Sequence, residues 1–112
     1  MVYKNHITPL LEWINDNIHL NLKIDDVAEK SGYSKWHLQR IFTLYTGMTL
    51  GAYIRTRRLI SAAEDLANGY DSILEITLKY GYESQQSFTR TFSRYFNSPP
   101  ASYRRQLRAI KK

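Results

Sequence analysis

The stretch that decides the fold is SKWHLQRIFTLY, residues 34–45. Ser34 is a typical helix N-cap, because its hydroxyl can accept a hydrogen bond from a backbone N–H group of the first turn. Apolar residues then recur at the spacing of one helix face. That face consists of Leu38, Ile41, Phe42 and Tyr45. The stretch therefore predicts an amphipathic helix that buries this face.

The opposite face of the same helix is expected to lie in solvent, and its side chains are unusual for a solvated face. It carries Trp36, Gln39, Arg40 and Thr43. An arginine can form two hydrogen bonds with guanine, and a glutamine can do the same with adenine. These groups fit a helix that reads base edges in a DNA groove. A plain surface helix with one exposed Trp explains this single stretch equally well.

The same pattern returns 50 residues later, where Ser84 is again the predicted N-cap and Arg90 corresponds to Arg40. The predicted inward face is Phe88, Thr91, Phe92 and Tyr95, and the outward face is Gln86, Thr89, Arg90 and Ser93. Upstream the match holds at an offset of 49, so that Gly32 corresponds to Gly81 and the second copy has one more residue in its turn. Chance gives such a repeat far less often than a single amphipathic helix. The repeat therefore favours a function for both outward faces.

The charges are unevenly distributed along the 112 residues, whose formal net charge is +6. Residues 30–63 contain six Lys or Arg and no acid, and residues 76–112 contain eight Lys or Arg and one acid. The acids are concentrated instead in residues 12–29 and 64–75. A basic surface of this kind predicts an anionic partner.

Several function classes are disfavoured by the composition. The chain has no Cys, which excludes disulfides, thiolate metal sites and a cysteine nucleophile. Its three His, at 6, 19 and 37, have neither metal-ligand spacing nor a Ser/His/Asp arrangement. No apolar run approaches the roughly 18 residues of a membrane span, and no signal-peptide pattern opens the chain. We therefore expect a cytoplasmic chain with no metal and no cofactor, and not an enzyme.

The chain order predicts about seven helices in an all-α fold. Thr8 and Pro9 are typical of a helix N-cap and first turn, although a start a few residues earlier is also open. That first helix is expected to end near His19. A short helix over 25–31, a turn at Gly32 and the helix after Ser34 form a helix-turn-helix. The second helix of such a unit is the one that enters the major groove. The last two residues, 111 and 112, are expected to be disordered.

A long helix over about 49–68 follows, and its apolar pattern changes phase. Leu50, Tyr53 and Ile54 lie on one side, whereas Leu59, Ala62, Ala63 and Leu66 lie on a side rotated by about 180°. A helix of this kind is expected to join two cores. Its 20 residues span about 30 Å, close to the roughly 34 Å of one turn of DNA.

The predicted organisation is two helix-turn-helix lobes joined by this linker helix. The first lobe covers about 7–50, with its helix-turn-helix at 25–45. The linker covers about 49–68. The second lobe covers about 70–110, with its helix-turn-helix at 72–96, and no effector-binding domain is expected within residues 1–112.

Four segments resemble the AraC/XylS family of transcription regulators: GYSKWHLQRIF (32–42), YIRTRRL (53–59), KYGYESQQSFTRTF (79–92) and PPASYRR (99–105). The similarity covers about residues 7–106 and is greatest to the single-domain branch that contains MarA, SoxS, Rob and RamA. It implies a transcription activator that binds asymmetric double-stranded promoter sites as a monomer and recruits RNA polymerase. It also implies stress, efflux and multidrug-resistance promoters, and an activity set by the amount of protein rather than by a small-molecule effector.

The resemblance also implies site residues. Base reading falls on Trp36, Gln39 and Arg40 in the first lobe and on Gln85, Gln86, Thr89 and Arg90 in the second. Weaker candidates for contacts to the DNA backbone are Lys35, Arg55, Tyr103 and Arg104.

Other hypotheses fit the residues less well. A helical adaptor that binds an acidic protein partner explains the charge but not two matched outward faces. Sequence-blind or RNA binding lacks the stacking aromatics of single-strand platforms, since most Tyr and Phe fall on inward faces. Repair proteins that use this DNA-binding unit for methyl transfer need a Cys that this chain lacks.

Overall fold

The structure, a computed structural model, describes residues 2–111, with the side chains of residues 7–110. The described residues form seven helices and no strand, which confirms the all-α prediction. The helices are α1 (Val2–Asp16), α2 (Ile24–Ser31), α3 (Lys35–Thr46), α4 (Leu50–Asn68), α5 (Ile73–Lys79), α6 (Gln85–Phe96) and α7 (Pro100–Lys111). They divide into two compact units, Met1–Arg57 and Arg58–Lys112.

The first unit holds α3 by its apolar face. Leu38 and Phe42 are fully buried, and the Tyr53 ring meets Phe42 edge-on with 5.4 Å between ring centroids. Burying a side chain of this size stabilises the fold by about 1.5–3 kcal/mol. The other buried apolar residues of this unit are Ile7, Leu10, Ile14, Ile18, Leu22, Val27, Ala28, Ile41, Leu50 and Ile54.

The second unit holds α6 in the same way, with aromatic side chains in place of aliphatic ones. Phe88 and Phe92 are fully buried, with 5.6 Å between their ring centroids. Tyr82 packs on Phe88, and Tyr103 of α7 packs edge-on against Phe92. The buried Thr77 hydroxyl donates to the Ile73 carbonyl at 2.8 Å, so its polar group is satisfied. The other buried residues are Leu59, Ala62, Ala63, Leu66, Ile76, Tyr80 and Pro100.

The buried positions of α4 follow the predicted change of phase. Leu50 and Ile54 are buried in the first unit. Leu59 and Leu66, together with the two alanines between them, are buried in the second unit. The helix therefore contributes a different face to the core of each unit.

The first helix starts upstream of the predicted N-cap, in the direction that the sequence left open, and ends before the predicted end. α1 begins at Val2, and Pro9 lies inside it rather than in its first turn. Proline costs the helix a hydrogen bond, yet the helix continues upstream of Thr8, where Ile7 is fully buried. α1 ends at Asp16, before the predicted end, where the Asn17 side chain donates to the Trp13 carbonyl at 2.8 Å.

The sequence predicted disorder for the last two residues of the chain, 111 and 112. Lys111 is the last residue of α7, so the disorder predicted there is wrong. The prediction for Lys112 lies outside the described residues.

Two tyrosines predicted to face inward are exposed. Tyr45 is 37% exposed and Tyr95 is 49% exposed, at corresponding positions in the last turns of α3 and α6. Both rings come at the end of an apolar face, and a tyrosine hydroxyl without a buried partner favours water. Tyr95 still packs edge-on against Phe96, at 4.8 Å between centroids. The repeat was thus read correctly, but the apolar face is one position shorter in both copies.

The internal repeat is visible in the backbone angles. Gly32 and Gly81 both have φ near the left-handed region, at 81° and 80°, and each precedes the N-cap serine of its second helix. At the ends of those helices, Gly47 has φ 77° and its counterpart Asn97 has φ 58°. Asparagine is the residue that best replaces glycine in this conformation, because its short polar side chain can bond locally.

This correspondence predicts how the turn after α3 responds to substitution. Gly47→Ala should lower the free energy of unfolding by about 1–2 kcal/mol, because an alanine in the left-handed region is strained although no atom would meet its Cβ. Gly47→Asn should cost less, since Asn97 already holds the equivalent position. Urea unfolding of the two variants measures the difference. Equal losses would mean that the backbone angle does not determine the cost.

Candidate DNA-reading surface

Each reading-helix candidate begins at the serine that the sequence predicted. The Ser34 hydroxyl accepts from the His37 backbone N–H at 3.2 Å, and the Ser84 hydroxyl accepts from the Ser87 backbone N–H at 3.0 Å. Gly32 and Ser34 are separated by one residue, whereas two residues separate Gly81 from Ser84. The extra residue therefore lies in the turn of the second copy, as predicted.

In the first unit, all three predicted base-reading side chains project into solvent from α3. Trp36 is 67% exposed, and Gln39 and Arg40 are also exposed. The Arg40 guanidinium lies over the Trp36 ring, with 5.5 Å between Cζ and the ring centroid. No acidic group forms an ion pair with Arg40 in the described part of the chain. Its N–H donors thus remain available to a ligand.

In the second unit, the corresponding surface lies on α6. Gln85, Gln86 and Arg90 are exposed, and Thr89 is half-buried. Burial of Phe88 and Phe92 turns Gln86 and Arg90 outward, whereas Gln85 is exposed as the first residue of α6. Three of the four candidates on α6 are thus open to solvent, and Thr89 is partly so.

Lys35, in the first turn of α3, has an internal partner. Its ammonium lies 2.8 Å from the Asp25 carboxylate of α2, and both side chains are more than half exposed. The hydrogen bond from Lys35 and its positive charge hold the pKa of Asp25 below its usual range. The Asp25 carboxylate is therefore ionised at neutral pH, and a phosphate would have to compete with it for Lys35.

The arginines of α4 differ in accessibility. Arg55 is exposed, whereas Arg57 is half-buried and its Nε donates to the Asn15 side chain at 2.8 Å. Arg58 is also half-buried. Arg55 is therefore the most exposed of the three α4 arginines, and its contact to a DNA backbone stays a prediction.

Arg104, one of the two candidates on α7, donates hydrogen bonds to the protein's own backbone. Arg104 donates through Nε to the Leu66 carbonyl at 3.0 Å and through Nη2 to the Asp71 carbonyl at 2.6 Å. Arg108, one turn later, donates to the Gly69 carbonyl and lies over the Tyr70 ring. These carbonyls belong to the end of α4 and the loop after it, which a helix leaves without partners. Desolvation by burial lowers the pKa of Arg104.

Tyr103, the other α7 candidate, is half-buried against Phe92 and Phe96. Its ring is part of the aromatic core of the second unit. A contact from its hydroxyl to a DNA backbone stays a prediction, as does the same role for Arg104.

Sequence reasoning missed the internal partners of these cations. The partner of Lys35 is an acid ten residues away, and those of Arg104 are backbone carbonyls, which no residue pattern marks. It also missed Asp65, which accepts from Lys79 at 2.9 Å and from the Tyr80 hydroxyl at 2.7 Å. Burial and the Asp65 carboxylate together raise the pKa of Tyr80 far above its usual range, so its hydroxyl remains a donor.

The described residues contain no group of three or more His, Asp or Glu side chains that would hold a metal ion. Within the same residues, no helix has the length and apolarity needed to cross a membrane.

Known proteins resemble the chain over most of its length. A helix-turn-helix domain family matches residues 27–106. The probable transcription factor PqrA of Proteus vulgaris is 50% identical over 90% of this chain and 84% of its own. The multiple antibiotic resistance protein MarA of Escherichia coli is 49% identical over 88% of this chain and 77% of its own. The chain belongs to the AraC/XylS family of DNA-binding transcription regulators.

A solved structure supports the same assignment within this family. An AraC-type transcriptional regulator from Chromobacterium violaceum is 31% identical and superposes with a TM-score of 0.86, covering 93% of each chain. The fold and family predicted from the sequence are thereby confirmed.

The contacts of Arg104 predict a structural role that can be separated from DNA binding. Arg104→Ala should lower the free energy of unfolding by about 1–3 kcal/mol, because it removes a charged donor from two carbonyls. The matched control is Arg105→Ala, since Arg105 is exposed and donates only to the Ser102 hydroxyl among the described residues. Thermal or urea unfolding compares the two. Unchanged stability of Arg104→Ala together with weaker DNA binding would instead support a phosphate contact.

Proposed function

We propose that this chain activates transcription by binding promoter DNA as a monomer, with α3 and α6 each reading bases in a major-groove segment. The observation that carries the proposal is the pair of matched helices whose apolar faces are buried and whose Arg-bearing faces are exposed. One chain with two readers needs no dimer to recognise an extended site. An asymmetric site follows, because the two exposed faces carry different residues.

The family supports a regulator rather than a catalyst, so we infer that the chain is not an enzyme. An activator must bring RNA polymerase to its promoter, which makes the polymerase its second partner. MarA is by its name a multiple antibiotic resistance protein. We infer on that similarity that the promoters bound here include resistance and stress genes. Since bacterial promoters lie in the cytoplasm, the chain is inferred to act there.

The chemistry of the exposed side chains supports direct base reading. Arg40 and Arg90 can each form two hydrogen bonds with one guanine, and Gln39 and Gln86 can do so with adenine. Phosphate contacts fix the position of such helices but carry no sequence information directly. Lys35 and Arg55 are the exposed cations that we assign to the phosphates on the first unit's side.

Selection of bound duplexes from a random pool tests this proposal. The wild type should enrich one asymmetric site whose two groups of preferred base pairs lie about one turn, or 10 base pairs, apart. Arg40→Ala should cost about 1–3 kcal/mol on that site and relax the preference at one base pair. Arg90→Ala should relax a different base pair in the other group.

Three outcomes of the selection contradict parts of the proposal. Equal weakening on every sequence would make Arg40 a phosphate contact. If Arg40→Ala and Arg90→Ala both relaxed the preference within the same group of base pairs, only one of the two helices would read bases. Enrichment of no sequence at all would favour the alternative, a helical adaptor that binds an acidic protein.

The Lys35–Asp25 ion pair predicts a gain of affinity on removing the acid. Asp25→Asn should free Lys35 for a phosphate, strengthen binding to all duplexes about two- to fivefold and steepen the salt dependence by about one counterion. Glu29→Gln is the control, because it removes the same charge from α2 without an ion pair to Lys35 among the described residues. Fluorescence anisotropy across a salt series measures both. Equal gains in the two variants would show that only net charge matters.

A further inference from the structure

The two matched arginines have different surroundings. Arg40 lies over the ring of Trp36, four residues earlier on α3. Arg90 has Gln86 at the equivalent place, and within the described part of the chain no aromatic ring lies at cation–π distance from it. On two corresponding helices, the arginine of the first copy therefore has a cation–π contact and the arginine of the second copy has none among the described residues.

Stacking restrains a side chain that would otherwise be flexible. An arginine has many rotamers, and a ligand that needs one of them must pay for losing the others. The indole ring is rigid and is attached to a helix turn fixed by the buried Leu38. Its contact with the guanidinium is attractive and most favourable for tryptophan among the aromatic residues.

The contact with Trp36 also leaves the N–H donors of Arg40 available for hydrogen bonds to a base. The N–H donors of a guanidinium lie in its own plane, and those of Arg40 have no hydrogen-bond partner among the described residues. Those in-plane donors are the ones that bind the O6 and N7 atoms of guanine. Stacking on Trp36 and reading a guanine can therefore occur together.

We propose that Trp36 is a positioning residue for Arg40, so that it contributes to base discrimination chiefly through the guanidinium it holds. This inference rests on the proposed function, because it concerns the same reading helix. It differs from a base contact by Trp36 itself, which would act independently of Arg40.

A double-mutant cycle on DNA tests the proposal. Trp36→Leu should lower discrimination at the base pair read by Arg40 about three- to tenfold, whereas Trp36→Phe, which keeps a ring, should retain most of it. In the Arg40→Ala background, Trp36→Leu should change discrimination less than about twofold, because nothing remains to be positioned. Independent, multiplying effects of the two changes would overturn the proposal.

Two controls accompany the cycle. The cycle for Gln86→Leu and Arg90→Ala should show weaker coupling than the cycle for Trp36 and Arg40, since no ring is lost. Tyr70→Leu removes a guanidinium–ring pair outside the reading helices, with Arg108, and should leave discrimination unchanged. Trp36 is largely exposed, so its replacement removes no core side chain, and circular dichroism checks that the variants are folded.

A measurement without DNA separates failure of this inference from failure of the proposed function. The side-chain proton resonances of Arg40 should be shifted upfield by the ring current of Trp36 in the free protein. The shift should vanish in Trp36→Leu, persist in part in Trp36→Phe and be absent for Arg90. A shift without any sequence preference in binding would reject the proposed function, whereas preference without the shift or the coupling would reject the positioning role.

Discussion

The constraint on which this molecule depends is that α3 and α6 are each held by one buried apolar face. Leu38 and Phe42 in α3, and Phe88 and Phe92 in α6, are fully buried. Because side chains three and four residues apart share a helix face, fixing these four residues also fixes which side chains point outward. The packing of the core therefore determines that the Trp, Gln and Arg side chains point into solvent; their own contacts do not.

The two copies bury the apolar faces of α3 and α6 against different kinds of side chain. The first core is mainly aliphatic around Phe42, whereas the second uses a chain of rings from Tyr82 to Tyr103. Backbone geometry is kept more strictly, since Gly32 and Gly81 have nearly equal φ angles. The two copies thus share the glycine angle of the turn and a buried inward face, whereas their outward faces carry different side chains.

The sequence predicted the helices and their outward faces well because both follow from local periodicity and capping serines. It predicted the boundaries of α1 poorly, since α1 continues through Pro9 to the buried Ile7 and beyond, and a proline in a pattern indicates a first turn instead. It misplaced Tyr45 and Tyr95, because periodicity does not tell where a core ends. It also did not indicate the hydrogen-bond acceptors of Arg104, because these are backbone carbonyls, which every residue type has.

The internal contacts change how the net charge should be interpreted. Lys35, Lys79, Arg57, Arg104 and Arg108 all have partners within the chain, either carboxylates, an amide or backbone carbonyls. A cation that already neutralises a carboxylate releases fewer counterions when it meets a phosphate. The formal charge of +6 is therefore a poor measure of the DNA footprint. Among the described residues, the proposed footprint depends instead on the cations of α3 and α6 that have no such partner, above all Arg40 and Arg90.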